Sequence, residues 1–135
     1  ALMHDTGKVR TPTEILNKNG KPTAAEWAVL EGHPDAGMRL IEPLREFLGE
    51  WVHAIGGHHE KWNGSGYPRG LQGDQIPLAA RIFAIVDVWD ALRSTRPYRE
   101  PWSEQKVRDY IKALSGTHFD PHVVSIFMEL LDSWA

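Results

Sequence analysis

The chain contains no cysteine, which excludes a thiolate-rich zinc or iron–sulfur centre and fits a reducing compartment. It has no apolar run near the roughly 18 residues a membrane helix needs. Its most apolar segment, IFAIV (Ile82 to Val86), runs straight into Asp87, so no membrane span is expected. There is no excess of basic charge. The formal net charge of −3 argues against nucleic acid held by a general positive field, so an anionic ligand must be gripped locally. Internal repeats, low-complexity linkers, an acidic tail and a secretory signal are also missing. What remains, 135 residues with 41% hydrophobic and 24% charged side chains, has the composition of one folded cytoplasmic domain, 1–135.

Helical periodicity runs through most of the chain, broken by glycine and proline. Ala1 to about Lys8 reads as the end of a helix, and TPTEILNKNGKP mainly as loop. Thr23-Ala-Ala-Glu26 has the form of a capping box, opening a helix that Pro34 interrupts or restarts. Leu40, Ile41, Leu44, Phe47, Leu48, Trp51, Val52 and Ile55 continue at helical spacing. A long irregular loop is expected over Gly64 to Asp74, which holds four glycines and a proline. Pro77 suits the first turn of a helix with Leu78, Ile82, Ile85, Val86, Trp89 and Leu92 on its apolar face. Ser103 caps the next, with Val107, Tyr110, Ile111 and Leu114 inward and Gly116 past its end. Asp120-Pro121 opens the last, burying Val123, Ile126, Phe127, Leu130 and Leu131. No alternating strand is present, so the expected class is all-α, a helical bundle with a long Gly-rich loop.

Chemistry concentrates in His4-Asp5, His33, His58-His59 and Asp87. The intervals from Asp5 to His33, His33 to His58 and His59 to Asp87 are 28, 25 and 28 positions. Each group therefore falls on a different helix or helix end, as a bundle needs if ligands are to point at one site. Four imidazoles and two carboxylates can serve two first-row metals, with one carboxylate bridging. An isolated histidine is ordinarily a hydrogen-bonded or surface residue, and His53, His118 and His122 are read that way. Asp87 is harder to place blandly beside Ile85 and Val86, where an unpaired carboxylate is costly. His58 and His59 would diverge inside a helix but can converge where one ends.

HDTGKV, His33-Pro34, HHEKWNGSGYP, GLQGDQIPLAARI, Asp87 with DALRSTRPYR, and GTHFDP together resemble the HD-GYP domain, from His4 to about Pro121. That family belongs to the HD metallohydrolases, bacterial phosphodiesterases that break down cyclic di-GMP. The resemblance implies an HD-domain bundle with two divalent ions, iron or manganese. It implies His4, Asp5 and Asp87 as ligands of one ion, and His33, His58, His59 and Asp5 as ligands of the other, with Asp5 bridging. Lys8 would stabilise charge near the attacked phosphate, and Tyr67, Arg96 and Arg99 would contact the ligand. A diguanylate cyclase domain is an implied partner of the GYP loop, and regulation would come from a sensor or receiver domain. Phosphodiester hydrolysis by water needs no serine or cysteine nucleophile.

Two departures qualify the match. The family's upstream helix, with a further histidine ligand, would precede residue 1. The chain is thus expected to be N-terminally truncated, with an apolar face at Leu2 and Met3 that a second chain, as in a homodimer, could fill. Asn63 replaces the family's usual aspartate, keeping the turn geometry without the charge. Thr6 and Trp89 read as packing variation. The competing expectation is a non-catalytic module that binds a cyclic dinucleotide or a cyclase domain; an HD hydrolase for another cyclic dinucleotide or nucleotide is the third.

Overall fold

The computed structural model describes residues 3–96 and 99–134. Ala1 and Leu2, read above as part of a helix, lie outside them. Met3 to Asp5 form a turn that leads into a 3-10 helix, Thr6–Arg10. Eight α-helices follow among the described residues: α1 Thr13–Leu16, α2 Ala24–Glu31, α3 His33–Ile41, α4 Arg45–Leu48, α5 Val52–Gly57, α6 Leu78–Arg93, α7 Glu104–Ala113 and α8 Pro121–Ser133. Among the described residues, strand-like pairing is confined to isolated bridges such as Asn63 with Gln72. The all-α class holds.

Local capping explains the boundaries that matter. The Thr23 hydroxyl accepts from the Glu26 N–H while the Glu26 carboxylate accepts from the Thr23 N–H, the full capping box. Pro34 restarts the chain as α3. Ser103 caps α7 and Asp120 caps α8, each through its side-chain oxygen.

TPTEILNKNGKP is mainly loop, as expected, around the four-residue helix α1. Four expectations need correction. Leu40 to Ile55 is not one helix: it breaks into α4, α5 and the 3-10 turns Glu42–Leu44 and Gly49–Trp51. Pro43 has no N–H to extend α3, and Gly49 takes a positive φ of 55°. On α6, Val86 and Leu78 are exposed, while Ala79, Ala80, Phe83, Ala84 and Ile85 are buried. On α8, Ile126 and Leu130 face outward, and Val124 and Met128 join Val123 inside. Tyr110, expected inward on α7, is 40% exposed.

The larger core joins α6, α7 and α8 around Ile85, Val107, Ile111, Phe119 and Val123. A smaller one, Ile41, Val52 and Ile55, locks α3 to α5. Ile111 is fully buried, so Ile111→Ala is expected to lower stability by about 2–5 kcal/mol, read as a shifted urea midpoint. An unshifted midpoint would remove Ile111 from the core.

Candidate metal centre

His4 and Asp5 sit in the turn before the first 3-10 helix, and His33 opens α3. These two elements are pressed together at Gly7, where an added Cβ would lie 1.8 Å from the His33 carbonyl oxygen. His58 ends α5 and His59 follows it, with their ring centroids 4.1 Å apart. Asp87 comes from α6, one turn after Phe83, whose ring lies 5.0 Å from that of His4.

Asp5 is the centre of the arrangement, and its two oxygens face different neighbours. Oδ1 lies 3.6 Å from His33 Nε2 and 3.9 Å from His58 Nε2. Oδ2 lies 3.3 Å from His4 Nε2 and accepts a hydrogen bond from Lys8 Nζ at 2.9 Å. His4 Nε2 is in turn 3.4 Å from Asp87 Oδ1. Asp87, expected beside apolar neighbours, has a side chain 39% exposed and turned to His4. Potential ligand atoms of Asp5, His33, His58 and His59 all fall within 4.8 Å of one another.

The donor set can be tested against a cation. His33 Nδ1 donates to the Leu30 carbonyl (2.6 Å) and His58 Nδ1 to the Ile55 carbonyl (2.8 Å). In the neutral rings this leaves both Nε2 atoms as bare lone pairs. They face each other across 3.3 Å, with Asp5 Oδ1 close to both. Converging acceptors repel unless a positive charge lies among them, so the residues fit a divalent metal.

Electrostatics agree. Burial, helped by His33 and His4, pushes His58 down to about 4 against the Ile55 carbonyl and Asp5. Burial with His58 and His33 pushes His59 down to about 3. Both rings are neutral at pH 7, the form that binds metal. Burial alone would raise the Asp5 carboxyl, but the Lys8 hydrogen bond and charge, with His4 and His58, hold it below the usual aspartate value.

The glycine-rich lip closes over one side. The Tyr67 ring stacks on His59, centroids 4.7 Å apart and planes at 24°. Burial, then the charges of Glu31 and Asp5, push its phenol up to about 12, so it remains a donor. Asn63 Oδ1 accepts from the Ser65 N–H (3.0 Å) and hydroxyl (2.7 Å), a turn that needs no charge. Trp62 and Asn63 N–H groups bond the His118 and Thr117 carbonyls, resting the lip on the GTHFDP segment. Arg96 and Arg99 are exposed and pair through their backbones beyond α6. The Arg99 guanidinium donates to the Ala91 carbonyl at 2.6 Å. Sequence reasoning missed one residue: Glu60 is buried, and its carboxylate holds the lip from inside. Its signal was a carboxylate placed between a histidine pair and a loop rich in unpaired N–H groups.

A family model described as "HD domain" matches residues 1–123. The chain belongs to the HD-domain family. It is 43% identical over 133 residues to the 3'3'-cGAMP-specific phosphodiesterase 2 of Vibrio cholerae, covering 98% of this chain and 26% of that protein. It is 43% identical over 135 residues to a probable cyclic di-GMP phosphodiesterase of the same organism, covering 95% of this chain and 31% of that protein. The HD domain described here thus spans between about a quarter and a third of those relatives. Its backbone matches the crystal structure of a cyclic GMP-AMP specific phosphodiesterase of Vibrio cholerae with a TM-score of 0.72, at 23% identity over 97% of this chain and 36% of that one. The HD fold read from the motifs holds.

Proposed function

We propose that this HD domain hydrolyses a cyclic dinucleotide, opening cyclic di-GMP to the linear dinucleotide and onward to GMP. The observation that carries the reading is Asp5, one oxygen toward His33 and His58 and the other toward His4. Two ligand groups that share it would be His4, Asp87 and Asp5, and His33, His58, His59 and Asp5. When bound there, a pair of divalent ions, iron or manganese, supplies Lewis acidity that neutralises phosphate oxygens and lowers the pKa of water.

The chain's own residues orient the substrate. Lys8 presents its ammonium group beside Asp5 Oδ2, where a phosphate oxygen would arrive. Tyr67, held against His59, offers its outer ring face to a base and a phenolic proton to an acceptor. Arg96 and Arg99 would hold the second phosphate by paired hydrogen bonds, Arg99 exchanging the Ala91 carbonyl for it. With an overall charge of −3, these local cations carry anion recognition. The reading places the domain in the cytoplasm, with the lip also available to a diguanylate cyclase domain.

A second substrate, 3'3'-cGAMP, is favoured by the names of relatives as similar as those named for cyclic di-GMP. The test is metal content of the chain purified without oxygen, with turnover of both dinucleotides on the same sample. Two ions per chain and hydrolysis of at least one dinucleotide are expected, and both should be lost in His58→Ala with Asp87→Ala. Turnover that survives the double substitution sinks the metal mechanism. Tight binding without turnover would instead identify a non-hydrolytic receptor.

A further inference from the structure

Glu60 is 2% exposed, where a carboxylate must have partners. Each oxygen accepts one backbone N–H from across the lip, Oε1 from Arg69 at 2.8 Å and Oε2 from Leu71 at 2.9 Å. These bonds close the loop around Tyr67, whose N–H reaches the His59 carbonyl at 3.2 Å. Gly66 permits the approach, since a Cβ there would sit 2.4 Å from His59 O and from Lys61 N.

Behind Glu60 lies a cavity of about 10 Å³, lined also by Trp62, Arg81, His118 and Asp120. That is room for one water. Arg81 comes from α6, and its Nη1 is committed to Asp120 Oδ2 at 2.7 Å and Asp74 Oδ1 at 3.1 Å. Its Nε is, among the described residues, the buried side-chain nitrogen or oxygen without a hydrogen-bond partner. The lining is mixed, with Ile76, Ala84 and Phe119 on its apolar side, but a buried guanidinium donor at its edge calls for an acceptor in it. Each Glu60 oxygen retains a lone pair after its backbone bond, so the same water has somewhere to donate.

We infer that Glu60 and Arg81 are a positioning pair, bridged by one buried water, that holds Tyr67 over the ligand cluster. The water accepts from Arg81 Nε–H and donates to the Glu60 carboxylate. α6 carries Arg81 and, six positions on, Asp87, so the bridge ties the lip to the helix that supplies one of the proposed ligands. Its effect on substrate rests on the hydrolytic reading above; the linkage itself does not.

The test is a double-mutant cycle. Glu60→Gln keeps the volume but turns an amide N–H₂ toward one of the two backbone donors. Arg81→Lys keeps a cation for Asp120 and lacks the Nε donor. Each is expected to raise KM for the dinucleotide about tenfold, as loss of one charge-assisted hydrogen bond would. kcat should stay within about twofold and metal content per chain should not change. The double variant should be no worse than the worse single, because both act through one bridge. A readout free of turnover is the ¹⁹F resonance of 3-fluorotyrosine at position 67, assigned by Tyr67→Phe. It should shift in each single variant and no further in the double. If the wild type hydrolyses neither dinucleotide, the hydrolytic reading fails and the fluorine cycle still decides the linkage. Additive effects, an unmoved Tyr67 resonance, or a crystal structure without water between Arg81 Nε and Glu60 would overturn it.

Discussion

Replacing Asp5 by asparagine is expected to remove metal loading and to lower kcat on the order of 10³-fold or more. Losing one preorganised electrostatic partner costs about 10²–10³, and Asp5 serves two groups at once. Its Oδ1 is 3.6 Å from His33 Nε2, and its Oδ2 is 3.3 Å from His4 Nε2. Asparagine keeps the shape but has one oxygen. Its amide nitrogen would present protons either to the imidazole lone pairs or to Lys8, so at most one group keeps an oxygen neighbour and neither keeps an anionic one. The fold should survive, because the Asp5 side chain is 40% exposed and its ion pair with Lys8 is screened by solvent. Asp87→Asn gives the graded comparison, since Asp87 lies beside His4, in one of the two proposed ligand groups, and should cost one ion. Metal analysis, turnover and circular dichroism on the two variants check this. An Asp5→Asn protein that holds two ions and turns over at the wild-type rate would remove the bridging role.

What could be read from the sequence was local, and what could not was tertiary. Thr23, Ser103 and Asp120 announce helix starts because a cap is decided by residues within one turn of each other. The breaks at Pro43 and Gly49 were hidden by an apolar spacing that continues across them, and packing overrode the period. The inward faces of α6 and α8 were misjudged because apolar residues lie on more than one face of each helix, so spacing alone does not choose between them. In fact Ala80 faces inward so that α5 can come close: a Cβ on Gly57 would lie 2.9 Å from that of Ala80. Trp51 and Phe47, by contrast, are 56% and 89% exposed, and nothing in their spacing says so. The chemistry-bearing residues were legible by type, as histidines and aspartates with no thiol to compete. Which Asp5 oxygen faces which imidazole, and the tautomers set by the Leu30 and Ile55 carbonyls, depend on three-dimensional placement. Glu60 was overlooked because a carboxylate before a glycine-rich loop is a weak signal until the fold brings the Arg69 and Leu71 N–H groups to it.

Gly7→Ala is expected to destabilise the fold by about 3 kcal/mol or more and to disperse the ligand cluster with it. The new Cβ would meet the His33 carbonyl oxygen at 1.8 Å, the Gly37 nitrogen at 2.6 Å and the His33 carbonyl carbon at 2.8 Å. All three are backbone atoms of α3, so no side-chain rotation relieves the overlap, and overpacking of this kind sits at or beyond the usual 1–3 kcal/mol. Relief requires the first 3-10 helix to move off α3. That movement carries Asp5 away from His33 and His58, so metal stoichiometry should fall together with the urea midpoint. Gly32→Ala is the control: it lies beside His33 in sequence, yet its nearest neighbour to a new Cβ is the Val29 carbonyl at 3.4 Å. Its φ of −80° suits any L-residue, so it should stay within about 1 kcal/mol of the wild type. Equal midpoints and equal metal content for the two variants would show that the HD turn does not depend on this contact. A loss confined to Gly7→Ala would show that the first two proposed ligands are placed by a glycine whose only chemistry is to be small.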